Sequence, residues 1–191
     1  MDSLLKSSGS NHQSRISTIH QLDAEIRAWW SRVPPGLHLT PSSIATFHRR
    51  DLTRLLLVQV AYHQCLCALH ASIVPLFTWG SHPPTLSSSQ QLSAQLAYEN
   101  ACATSRLFKM ILDHRPDTSD FSSFLGYAAY CSFAVQVPFK WCLDPPVRES
   151  AATNTAVNIR VIQGVGRYWR FVSLLVSHLC EGLEPSANST S

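Results

Sequence analysis

The sequence predicts an all-α protein, a single multi-helix domain of about five helices around a long buried central helix. Apolar residues recur at three- and four-residue intervals through five segments, the spacing that lines one face of an α-helix. No segment makes a convincing strand. Capping residues and proline stops fall at the segment boundaries, and 191 residues suffice to bury one core without a disulfide or a metal staple.

The first helix is expected from about Ser17 to Val33, with Ile19, Leu22, Ile26, Trp29 and Val33 on one face. Thr18 with Gln21 reads as its capping box and Pro34-Pro35-Gly36 as its stop. The second, central helix is expected from about Thr40 to Val74, with Thr40 as N-cap and Pro41 in the first helical position. Its apolar arc is wide: Leu55, Val58, Tyr62, Leu66, Leu69 and Ile73 form one stripe beside Leu52, Leu56, Val60, Cys67 and Val74. After a Pro/Ser-rich loop at 75–88, Ser88 with Gln91 opens a third helix carrying Leu92, Leu96, Ala103, Leu107 and Ile111 as far as Arg115-Pro116. A fourth opens near Ser119 and is kinked or ended by Pro138. A new segment starts at Asp144-Pro145-Pro146, and the last helix is best defined from about Thr153 to Glu181, with close packing or a bend expected at Gly164 and Gly166. Residues 1–15 and 183–191 read as disordered tails flanking a helical domain at 16–182.

Charged residues make up 14% of the chain and hydrophobic ones 45%, so much of the sequence is either core or surface meant for covering. The net charge of +3 comes from scattered arginines, with no block long enough to track a phosphate backbone or an acidic membrane. Direct nucleic-acid binding is not expected. Five of the six cysteines lie inside apolar helical patterns, as reduced core thiols do. No secretory leader opens the chain, and Asn188-Ser189-Thr190 reads as a chance glycosylation match.

Few constellations carry chemistry. His63, Cys67 and His70 put two imidazoles and a thiol along one helix face, the ligand types of zinc, yet no fourth ligand is identifiable and histidines among Leu and Tyr are commonly core residues. No metal site is expected. No nucleophile elbow, phosphate-binding glycine loop or paired carboxylate is present, so catalysis is not expected. Leu55 to Tyr98 contains no Asp, Glu, Lys or Arg, and its first part is long enough to span a bilayer. Gln59, His63, Gln64 and His70 would be costly in lipid, which favours a core helix over a membrane protein with a span at 55–74. An alternative function is a small-molecule pocket between the second, fourth and fifth helices, lined by Tyr62, His63, Phe124, Tyr127 and Trp169.

The run LLLVQVAYHQCLCALHASIVPLF from Leu55 to Phe77 resembles the long central helix of the fungal-specific transcription factor domain, the middle homology region of zinc-cluster regulators. Upstream, IRAWWSRVPPGL is similar to that family's helix ending in a tryptophan and a Leu-Pro-like turn, with Val33 before Pro34 here. Downstream, ENACATSRLFKMI resembles its Cys-x-x-Ala-Ala-x-x-Ile helix, with Thr104 where alanine is usual. The likeness covers roughly residues 16–182. It implies a nuclear regulatory domain acting through effectors, self-association or protein partners. The family's zinc belongs to a six-cysteine DNA-reading module, and residues 1–50 hold no cysteine, so the expectation is the later portion of the domain, as a fragment or truncated product, with no cofactor and no DNA-binding residue.

Overall fold

The computed structural model describes residues 2–74 and 86–175, with side chains from Ser14 onward. Six α-helices follow in order: α1 (Asp2–Trp30), α2 (Pro41–Ile44), α3 (Arg49–Ala71), α4 (Ser88–His114), α5 (Ser123–Gln136) and α6 (Pro145–Gly166). Helical backbone resumes at 170–175, and no strand occurs among the described residues. The all-α class holds, with five substantial helices. The expected tail at 183–191 and residues 75–85 of the loop expected at 75–88 lie outside the described residues.

Several boundaries differ from the sequence reading for local reasons. Helical backbone begins at Asp2 and runs through residues 2–15, where a disordered tail is expected; that stretch contains no proline, and Gly9 alone costs about 1 kcal/mol there relative to alanine. Thr18 is therefore no cap, since its hydroxyl donates to the Ser14 carbonyl at 3.0 Å inside the helix. Thr40 caps as expected, its side chain accepting from the Ser43 backbone N–H at 3.1 Å. That helix stops at Ile44, however, and the central helix starts afresh at Arg49. The expected third helix, α4, is capped one residue early, Ser87 and Gln90 forming the reciprocal box. The last helix starts at Pro145 and its first segment ends at Gly166, where the glycine pair predicts close packing or a bend.

α4 touches α2, α3, α5 and α6, while α3 lies between α1 on one side and α4 and α5 on the other. That double coverage accounts for the two apolar stripes of α3. Leu52, Leu56 and Val60 join Leu107, Phe108, Leu125 and Phe133 in the main core. Toward α1, Leu69 and Ile73 pack on Ile16 and Ile19, and the Tyr62 ring stacks on Trp30 with centroids 4.4 Å apart. The inner face of early α4 is not the expected Leu92–Leu96 pair. Leu92 is exposed while Ser93, Ala97 and Asn100 are buried.

Two glycines mark close approaches. A Cβ on Gly126 would lie 2.8 Å from Val172 Cγ1, and one on Gly164 would lie 2.4 Å from Thr118 Oγ1. Gly164 thus has the tight packing that its place in the sequence suggests.

Candidate functional site

The side chains with chemical potential sit in two buried polar networks and two surface clefts. In the first network the wholly buried His70 of α3 joins three helices: its Nε2 lies 3.1 Å from Asp23 Oδ1 on α1 and its Nδ1 lies 3.3 Å from Ser93 Oγ on α4. A carboxylate can only accept, so Nε2–H donates to Asp23. Arg27, one turn further along α1, donates to both Asp23 oxygens at 2.9 Å. Burial works against the Asp23 charge, yet hydrogen bonds from Arg27 and His70 prevail and hold its carboxyl below the ordinary carboxylate range.

Serine, histidine and aspartate in this order have the composition of a hydrolytic triad. Here Ser93 is 1% exposed and His70 0%, so no substrate carbonyl reaches the hydroxyl, and the residues read instead as a polar tie between α1, α3 and α4. The sequence reading missed Asp23 and Ser93 because the partners are 47 and 23 residues away from His70.

The second network ties α4, α5 and α6. Gln136 Nε2 and Asn158 Nδ2 each donate to Ser105 Oγ at 2.9 Å, and Cys102 Sγ lies 3.3 Å from Gln136 Oε1. Ser105, Gln136 and Asn158 are fully buried. A signal was available: Ser105 falls in register with Ala101, Phe108 and Leu112, so a polar residue occupies an inward position at helical spacing.

Of the three weak metal candidates the two histidines go to separate partners and Cys67 packs among Ala97, Ala101 and Val135. His63 Nδ1 donates to Asn100 Oδ1 at 2.9 Å, and burial pushes its pKa down. Burial pushes the Cys67 thiol up to about 12, which disfavours the thiolate that a metal needs. His70 is taken by Asp23 and Ser93. No group of three or more His, Cys, Asp or Glu among the described residues is placed to hold a metal ion.

Of the five residues expected around a ligand, Tyr62 alone lines either of the two clefts. Tyr62 lines an open groove between α1 and α3, about 470 Å³ in volume, with Ile26, Trp29, Val58, Ala61 and Cys65. Glu25 is its one charged lining residue. Phe124 packs on the main core, Tyr127 is exposed, His63 is bonded as above, and the Trp169 indole donates to the Phe121 carbonyl at 3.2 Å.

A second cleft of about 400 Å³ opens between the start of α3, the end of α4 and the turn before α5. Its floor is Leu52, Leu56, Ile111 and Phe121, all buried. Arg49, on its rim, bonds Asp117 at 2.7 Å, Ser119 at 2.7 Å, and Asp120. α3 itself is the one helix among the described residues long and apolar enough to cross a membrane, although its Gln59, Gln64 and His70 are buried against other helices.

Fold and clefts together define a class, an all-helical domain with an apolar groove and a charge-rimmed cleft. No family model matches the chain, and no curated protein or solved structure matches it.

Proposed function

We propose that this chain is a regulatory interaction domain of a transcription factor, working in the nucleus through a protein partner and without enzymatic chemistry or DNA contacts of its own. Its resemblance to the fungal-specific transcription factor domain supplies the biological setting. The observation that carries the reading is the α1–α3 groove, where Trp29 and Val58 stay 47% and 43% exposed beside Ile26 and Ala61. An apolar strip rimmed by polar residues marks a surface meant for covering, and a groove between two helices suits the apolar face of a third.

The test is a reporter assay with the chain tethered to a heterologous DNA-binding module. The reading expects altered reporter output, lost in Val58→Arg while circular dichroism stays helical. Unaltered output from the wild-type chain, or output indifferent to Val58→Arg, contradicts it.

A further inference from the structure

The cleft at the start of α3 goes beyond the interaction reading, because its lining has the composition of a small-molecule site. Its volume, about 400 Å³, falls within the span of ligand pockets, about 300–1,000 Å³. An apolar floor with a few convergent polar groups at the rim is the usual build of such sites.

The rim charges choose the ligand. Arg49 is engaged by Asp117, Asp120 and Ser119. Arg115 also lines the cleft, and among the described residues it has no carboxylate partner, only a long 3.5 Å contact from one nitrogen to the Phe47 carbonyl. His114 beside it uses Nδ1 on the Met110 carbonyl at 3.0 Å. Across the wall formed by Pro116 and Asp117 lies a smaller polar pocket of about 230 Å³ that holds Arg160 and Arg167, also without carboxylate partners among the described residues. The two pockets together carry four arginines against two aspartates, so their summed field favours an anion. A guanidinium with free donors at the edge of an apolar cavity matches a carboxylate fork to fork.

We propose that this cleft binds a small amphipathic acid, its apolar body on the Leu52, Leu56, Ile111 and Phe121 floor and its carboxylate on Arg115. The bland alternative is a cleft that only exposes the end of the core, which would take apolar molecules without regard to charge.

Isothermal titration of the purified 191-residue chain with sodium octanoate, 1-octanol and octylammonium separates the two. Octanoate is expected to bind more tightly than either comparison molecule. Arg115→Met is expected to weaken octanoate roughly tenfold, the scale of one charge-assisted contact, and to leave 1-octanol unchanged. Thr53→Trp puts bulk into the cleft without touching Arg115 and is expected to weaken both. Val58→Arg, in the other groove, is expected to leave octanoate binding intact, so failure here is distinct from failure of the interaction reading. No octanoate binding, equal binding of octanoate and 1-octanol, or binding lost in Val58→Arg but kept in Thr53→Trp overturns the proposal. Should Arg115→Met fail to fold, the Thr53→Trp and Val58→Arg pair still decides.

Discussion

His70 Nε2 lies 3.1 Å from Asp23 Oδ1, and the imidazole is wholly sealed from solvent while the carboxylate keeps one edge open. α1 is thereby held to α3 at the point where apolar contact between them gives way to the open groove. Asp23→Ala leaves a buried imidazole N–H without its acceptor, which costs about 1–3 kcal/mol. Urea denaturation of the variant measures it. An unchanged midpoint would mean that α1 is held by its apolar contacts alone.

The same carboxylate sets an acid limb. Its folded pKa lies below its unfolded one, so the stability it contributes is full above the unfolded value and is lost as pH falls through the folded value. The wild-type chain should therefore lose stability at acid pH more steeply than Asp23→Asn, measured as midpoint against pH.

His63 acts in a higher window. Burial depresses its pKa, so the unfolded chain takes up a proton there before the folded one does. Stability should fall as pH drops below about 6.5, the free histidine value, until the folded value is passed. His63→Gln keeps a donor for Asn100 and should flatten that part of the profile.

The Ser105–Gln136–Asn158 network predicts non-additivity. Asn158→Leu alone strands buried donors and acceptors and should cost about 1–3 kcal/mol. Removing all three polar groups together as Ser105→Ala, Gln136→Met and Asn158→Leu should cost less than the sum of the single changes, because the three groups no longer strand one another and only the weak Cys102 thiol donor loses a partner. Additive losses in a denaturation series would show that the three groups do not act as one network.

Gly126 offers a packing test. A methyl group there would meet Val172 Cγ1 at only 2.8 Å, so Gly126→Ala overpacks the contact between α5 and the segment after α6, at a cost of about 1–3 kcal/mol. Adding Val172→Ala removes the closest contact, leaving Val165 Cγ1 at 3.0 Å, and should recover part of that loss in thermal melts.

Helix type and order were legible because apolar periodicity and prolines act locally. Thr40, Pro116 and the Asp144-Pro145 pair mark their boundaries from neighbours within a turn. The split between α2 and α3 was not legible, since Ala45 to His48 carry no proline or glycine and the break depends on how Ile44 and Leu52 reach the common core. The clefts were illegible for a related reason. Tyr62 and Phe124 each have the chemistry of a pocket lining, but Tyr62 lines the α1–α3 groove while the main core absorbs Phe124. Arg115 reads in sequence as a helix stop, and only the fold sets it beside Leu52 and Phe121.

The uncharged stretch of α3 from Leu55 onward packs against α1, α4 and α5, with the α1–α3 groove left open. Amide hydrogen exchange of the 191-residue chain in detergent-free buffer tests this most directly. Amides from Leu56 to Leu66 should exchange among the slowest in the protein, together with those of α4 around Phe108. Fast exchange along that stretch, at rates typical of an uncovered helix, would contradict it.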